Sequence, residues 1–321
     1  MFQIAYFDPA DLMVWFDVGN LFSNVDKPSV ENRGVSPEIT AAAYGIVRGA
    51  FDTRAGLNGE VLEILGRWGP RATMSLLTLW HEQRHFLDHF LTNFGASRVR
   101  VYWQIRAQLR NLYMVVQDDG VLGLPLDVYA DPVERDILGL GPKGAQYLQG
   151  IGNFLTERRE MIQQDRKYGT NPVSELPVDG FCQLEALGSL AQIAGMGELL
   201  QWRTPDKFKH FEEPFTRFPY LFAIVSVMKA SGLDVIESAR GGPLPVVTLK
   251  PAYLISAVLL AALMCRRTGR PSAELLTSYL PAPRLAKILH QLASDGVKEV
   301  PTADDGSRPL IGLVGKYGID P

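Results

Sequence analysis

The sequence WHEQRHF at residues 80–86 decides the fold, because it lies in a segment from Ala72 to Phe94 that contains neither glycine nor proline. Such a segment predicts one long α-helix, which Gly95 is placed to end. Apolar residues surround the stretch on most sides, so we expect this helix to be internal. The polar side chains that it carries then need partners inside the protein.

Two histidines and a glutamate give this helix its chemistry. His81 and His85 lie about 40° apart around the axis and one turn along it, so both imidazoles can bind one metal ion. Glu82 lies about 100° from His81, where its carboxylate can accept a proton from metal-bound water. The pattern H-E-x-x-H therefore predicts metal-dependent hydrolysis. The alternative is a core helix with two hydrogen-bonded histidines and a surface Glu82.

A catalytic zinc site needs a third protein ligand and leaves its fourth position to water. The best candidate is Glu185, on a predicted helix that Asp179 caps. The same face carries small or polar residues: Cys182, Gly188, Ser189 and Gln192. Small residues permit a close approach between helices, and a lone carboxylate there needs the counter-charge that a metal would supply. The alternatives for Glu185 are an exposed acid and an ion pair with an arginine.

Asp88 and His89 follow the second histidine on the same helix. His89 is about 80° and two turns away from His81, too far for three imidazoles on one unbroken helix to share an ion. We therefore expect His89 to lie behind the ligands or to have a structural role. Asp88 is expected to orient a ligand imidazole through its second ring nitrogen.

This combination resembles the zincin metallopeptidases, and the gluzincin arrangement in particular, in which a glutamate on a second helix follows the H-E-x-x-H helix. The resemblance implies Zn2+ ligands at His81, His85 and Glu185, general-base catalysis by Glu82, and a peptide or protein as substrate. It also implies that the substrate binds along a sheet edge and that a tyrosine or histidine stabilises the oxyanion. The candidates for the oxyanion role are Tyr253, Tyr220, Tyr168 and His210.

Two other functions fit the same residues. Two histidines and one carboxylate also describe the non-heme Fe(II) oxygenase site, so a peptide-modifying oxygenase that uses Fe2+ is one alternative. A catalytically inactive zincin-like binding protein is the other. The G-x-G-x-x-G string at residues 139–144 follows charged residues instead of a strand, which argues against a dinucleotide site. The sequence has no second E-x-x-H, which argues against a di-iron site.

The whole chain predicts an α+β fold that is mainly helical and zincin-like, with an N-terminal β element and a helical C-terminal half. Residues 2–7 and 12–18 predict a β-hairpin. Residues 97–105 alternate between apolar and polar side chains, which predicts a strand, with a continued helix as the alternative. The hairpin or this strand would form the sheet edge. Further helices are predicted at residues 36–50, 145–167, 180–202, 215–230, 252–267, 273–279 and 284–293.

We expect an N-terminal part, residues 1–116, with the β element and the H-E-x-x-H helix, and a mainly helical part, residues 117–321, with the candidate third ligand. One continuous domain is the alternative. The chain has 321 residues and 46% hydrophobic residues, which exclude the disordered, collagenous and coiled-coil classes.

Charge and composition also limit the partners. The net charge of −3 gives no overall field to attract nucleic acid, so no nucleic-acid partner is expected. The apolar run at residues 253–265 is shorter than the roughly 20 residues that cross a bilayer, which predicts a buried helix and no membrane partner. The two cysteines and an N-terminus without an export signal predict a cytoplasmic protein. The sequence leaves the oligomeric state open.

Overall fold

The structure is a computed structural model. It describes residues 5–9, 12–16, 41–42, 44–48, 59–68, 70–118, 142–169, 178–198, 222–233, 236–237, 243–244, 249–264 and 280–295. These residues are mainly helical and include a small amount of strand, which confirms the mainly helical fold that the sequence predicts. Within the described ranges, no helix is both long enough and apolar enough to cross a membrane.

Helices make up most of this part of the chain. They are α1 (Gly59–Trp68), α2 (Pro70–Leu91), α3 (Asn93–Asp118), α4 (Pro142–Lys167), α5 (Gly180–Glu198), α6 (Phe222–Ala230), α7 (Leu249–Leu263) and α8 (Pro281–Asp295), and residues 41–42 and 44–48 are also helical. The helices predicted at residues 36–50, 145–167, 180–202, 215–230, 252–267 and 284–293 are confirmed over the described parts of those ranges. The helix predicted at residues 273–279 lies outside the described residues.

The predicted N-terminal hairpin is present. Strands β1 (Ala5–Asp8) and β2 (Met13–Phe16) pair antiparallel, with Ala5 opposite Phe16 and Asp8 opposite Met13. Leu12, just before β2, has a φ of 55°, the left-handed conformation that a tight connection requires. A second pair, β3 (Ile236–Glu237) and β4 (Pro243–Leu244), is also antiparallel.

The strand predicted at residues 97–105 is wrong, because this segment lies inside α3. Its alternation of apolar and polar side chains is short, whereas the apolar residues that follow recur at helical spacing. Ile105, Leu109 and Leu112 pack together with Leu148 and Ile151 of α4. Packing along a helix stripe therefore decided the conformation of the whole segment. The same stretch cannot supply the sheet edge that the sequence suggested.

The long helix predicted from Ala72 to Phe94 ends earlier than Gly95. It ends at Leu91, and Thr92 begins the next helix by accepting a hydrogen bond from the Gly95 backbone N–H at 3.0 Å through its hydroxyl oxygen. A Cβ on Gly95 would lie 2.6 Å from the carbonyl oxygen of Asp88. Gly95 therefore permits the close turn between α2 and α3 and does not terminate α2.

The main hydrophobic core is built around α5. This helix packs most extensively on α2 and also contacts α6 and α7. A Cβ on Gly195 of α5 would lie 2.5 Å from the ring of Trp80 on α2, so the small residues do bring the two helices close together. The core draws on residues before and after residue 116, from Ile46 to Leu292. The division of the chain at residue 116 stays a prediction.

Two aspartates fix the start of α5. Asp179 caps the helix, as predicted, by accepting a hydrogen bond from the Cys182 N–H at 2.8 Å. Asp165, near the end of α4, accepts hydrogen bonds from the N–H of Gly180 at 2.5 Å and of Ala282 at 2.9 Å. One buried carboxylate thus joins α4 to the first turns of α5 and α8, and holds α5 in place against α2.

Candidate metal centre

Three predicted side chains meet where α2 packs on α5. Glu185 Oε2 lies 3.1 Å from His81 Nε2 and 3.4 Å from His85 Nε2. One ligand atom from each of the three residues lies within 4.8 Å of the other two, which makes a group that could hold a metal ion. Among the described residues no other such group of histidine, cysteine and carboxylate side chains occurs.

The distances between these atoms fit a metal centre. Nitrogen and oxygen ligands at about 2.0–2.1 Å from a tetrahedral zinc ion lie about 3.3 Å from one another. The two measured separations, 3.1 and 3.4 Å, lie on either side of that value. Both imidazoles present Nε2 to the same carboxylate oxygen, so the donor set of two histidines and one carboxylate is assembled.

Burial and mutual charge set the protonation of the group. Burial alone would raise the pKa of Glu185, but hydrogen bonds with His81 and His85 hold that pKa well below its usual range. Burial acts to lower the pKa of His81, yet the hydrogen bond and charge of Glu185 outweigh it and the pKa is raised. Burial lowers the pKa of His85. Glu185 is therefore ionised and His85 neutral, the forms that bind a metal, whereas the raised pKa of His81 means that a metal would have to displace a proton from its ring.

Two residues of α5 position the His81 imidazole. A Cβ on Gly188 would lie 2.7 Å from a ring atom of His81, so only glycine leaves room for the ring. Gln192, one turn further along, forms a side-chain hydrogen bond with His81. The sequence placed both residues on the face of Glu185 but assigned them no contact with the histidine. Within the described part of the chain, His85 Nδ1 is buried and has no hydrogen-bond partner.

Glu82 lies beside the three candidate ligands and not among them. It is 9% exposed, so it is not a surface residue. Its Oε2 accepts a hydrogen bond of 2.6 Å from the backbone N–H of Phe7 in β1, which fixes the carboxylate next to His81. Burial raises the pKa of Glu82 to about 7. The carboxylate can therefore accept and release a proton near neutral pH.

Asp88 and His89 lie behind the ligand face. The Asp88 carboxylate is buried, and its two oxygens share the N–H of Arg84 Nε in a bifurcated hydrogen bond, at 2.9 and 3.0 Å. The sequence predicts that Asp88 orients a ligand imidazole, but its hydrogen-bond partner is an arginine. His89 Nδ1 donates to the carbonyl oxygen of His85 at 2.7 Å, and its ring centre lies 4.7 Å from that of Phe7. Burial lowers the pKa of His89 to about 3, so its ring is neutral.

The candidates for the oxyanion role are not located at the centre. Tyr220, His210 and the side chain of Tyr253 lie outside the described residues. Tyr168 follows the end of α4, is 39% exposed, and lies with its ring 5.7 Å from Lys167 Nζ. None of the described contacts connects Tyr168 to the three candidate ligands.

Two arginines near the centre were not predicted from the sequence. Arg98 of α3 is close enough to act electrostatically on His85 and Glu185, and Arg158 of α4 adjoins it. Arg98 and Tyr102 share one face of α3, at a spacing of four residues. The mistaken strand put both residues on the same polar face of a sheet, but gave no reason to place them beside His85.

Comparison with known proteins identifies no relative of this chain. No family model matches the sequence, no curated protein matches it, and no solved structure matches the fold. The chemistry of the centre therefore has to be inferred from its own residues: two buried histidines, a partly buried, ionised glutamate between them, and a second glutamate held alongside by a backbone N–H.

Proposed function

We propose that this protein is a zinc-dependent metallopeptidase of the gluzincin type, which cleaves a peptide or protein. The observation that carries the proposal is the meeting of His81, His85 and Glu185 at distances that suit a tetrahedral zinc site. These three residues would hold the ion. A bound zinc ion supplies Lewis acidity, which lowers the pKa of water toward about 7 and polarises a carbonyl.

Glu82 is the general base in this proposal. Its pKa of about 7 lets it take a proton from the attacking water and return the proton to the leaving amine near neutral pH. The Phe7 N–H holds Oε2, so the carboxylate keeps one orientation through both transfers. Gln192 and the space at Gly188 keep the His81 ring in its ligand orientation.

The β1 strand supports a peptide as the substrate. Its Phe7 N–H already serves Glu82, so an extended peptide would pair with other backbone groups of the hairpin, close to the base. The zincin-like α+β assignment and the cytoplasmic location also remain proposals. The two cysteines of the chain favour a reducing compartment.

Metal analysis of protein purified without added metal tests the proposal. We expect zinc near one equivalent, and cleavage of a peptide mixture that stops on chelation and returns with zinc. Iron in place of zinc, with oxidation of peptides, would favour the Fe2+ oxygenase that shares these ligands. Protein that takes up no metal from a zinc solution would instead be the inactive zincin-like binding protein.

A further inference from the structure

Two arginines share one tyrosine beside the candidate metal centre. Arg158 Nη2 donates a hydrogen bond of 2.6 Å to the Tyr102 hydroxyl oxygen, and its Cζ lies 4.4 Å from the centre of the Tyr102 ring. Arg98 forms a side-chain hydrogen bond with the same tyrosine. We call Arg98 and Arg158 the arginine pair. Tyr102 holds the two like charges together although they repel each other.

Among the described residues, the arginine pair has no carboxylate partner of its own. Within the described ranges, no aspartate or glutamate forms an ion pair with either arginine. The acidic residue that acts on Arg98 is Glu185, which the metal would use as a ligand. Charges that are partly withdrawn from water are stabilised by an opposite charge, so these two half-buried guanidinium groups offer a binding place for an anion.

The position of the pair points to a substrate group. Gly95 packs closely against the His89 backbone, and Arg98 follows it by about one turn of α3. From there Arg98 acts electrostatically on His85, His89 and Glu185, on the side of the centre where α2 meets α3. An anion bound there would lie next to the groups that carry out hydrolysis. Guanidinium groups bind planar carboxylates through two parallel hydrogen bonds, which fixes the orientation of the bound group as well as its place.

We propose that the arginine pair binds a carboxylate of the peptide substrate, close to the bond that is cut. This inference rests on the proposed peptidase function. A peptide offers that carboxylate from two sources, its C-terminal α-carboxylate and an acidic side chain. The first would make the protein an exopeptidase that acts near the C-terminus, and the second would make it selective for acidic residues.

Binding of three small probes to the zinc-loaded protein tests the proposal and distinguishes the sources. The probes are acetyl-dialanine with a free carboxylate, its C-terminal amide, and acetyl-alanyl-glutamic acid amide, each titrated by ligand-observed NMR. The variant is Arg98→Gln. The matched control is Arg159→Gln, which removes the same charge from the exposed neighbour of Arg158 on α4.

We expect Arg98→Gln to weaken one or both carboxylate probes by about 10-fold or more, since a hydrogen bond to a charged group contributes roughly 1.5–3 kcal/mol. The uncharged amide should bind all variants alike, and Arg159→Gln should match the wild type. Loss for the dialanine acid alone supports the α-carboxylate, and loss for the glutamate probe alone supports the side chain. Equal affinity of wild type and Arg98→Gln for both acids would overturn the proposal.

Arg158→Gln covers the case in which Arg98→Gln fails to fold, which thermal unfolding would reveal. It removes the second guanidinium and should weaken the same carboxylate probe. Because the measurement is binding, it separates the two proposals. Arginine-dependent binding without any peptide cleavage would sink the peptidase function alone, whereas cleavage with arginine-independent binding would sink only the role of the arginine pair.

Discussion

Two carboxylates in the same scaffold, the buried Asp165 and the partly buried Glu185, have different kinds of hydrogen-bond partner. Asp165 accepts hydrogen bonds from two backbone N–H groups, those of Gly180 and Ala282, and so joins three helices without any further group. Glu185 faces two imidazole nitrogens instead. The contrast lies in the partners: backbone N–H groups can only donate, whereas an imidazole nitrogen that gives up its proton has a lone pair that a metal can use.

The difference distinguishes a structural junction from a group of side chains that could hold a metal ion. Removing the junction should change stability and leave metal binding intact in the molecules that fold. Removing Glu185 should lower metal affinity and leave the free energy of unfolding near the wild-type value. Variants of the two sites, measured for both metal affinity and free energy of unfolding, can therefore test this distinction.

The largest effect is expected for Glu185→Ala. It leaves two imidazoles and water around the ion, so zinc affinity should fall by more than the roughly 100-fold that marks the upper range for groups behind the ligands. Competition titration against a zinc chelator measures the change. Glu160→Gln, on the exposed side of α4, is the control and should bind zinc as the wild type does. Unchanged affinity in Glu185→Ala would show that the group is a salt bridge and not a ligand set.

Glu82→Gln should come next, with turnover lower by roughly 10²-fold or more and zinc content unchanged. The amide keeps the shape of the side chain and an oxygen that can accept from the Phe7 N–H, but it cannot take a proton. Turnover of a peptide substrate and metal content are measured on the same preparation. Loss of zinc together with activity would mean that Glu82 is a ligand, and its assignment as base would fail.

Asp165→Ala tests the junction and should lower the free energy of unfolding by about 2 kcal/mol, because two helix starts lose their acceptor. Chemical denaturation measures the change. Asp165→Asn, which keeps one oxygen acceptor, should lose less. Zinc affinity of the folded protein should stay near the wild-type value in both variants. A large drop in affinity with normal stability would show that the two sites are not separate.

The centre could be predicted from the sequence because its geometry is local. His81, Glu82 and His85 take their relative positions from one helix, and helix spacing alone fixes them. Glu185 required a tertiary argument, and the small residues around it supplied one. The orienting contact of Gln192 was not predicted, because a hydrogen bond between helices depends on how far one is rotated about the other.

The errors in the predicted fold have a similar origin. Residues 97–105 alternate like a strand, but the packing of α3 on α4 overrode that local pattern. Because the segment was predicted as a strand, the prediction could not show that Arg98 and Tyr102 share the helix face that meets the centre. α2 ends before Gly95 because the Thr92 hydroxyl caps the start of α3. The sequence offers both Thr92 and Gly95 as helix boundaries, and their order alone does not decide between them.

The smallest effect is expected for Gln192→Ala, which removes the hydrogen bond to His81 and leaves the three ligands in place. Zinc affinity should fall by about 10-fold, within the range for groups that orient a ligand histidine. Gln192→Glu should restore affinity, because a carboxylate accepts a stronger hydrogen bond from the imidazole. Gln183→Ala is the matched control: this glutamine is buried on the same helix but donates to the Val178 carbonyl at 2.9 Å, away from the ligands. It should lower stability without changing zinc affinity, and an equal loss of affinity in both variants would attribute the effect to the packing of α5 and not to the orientation of His81.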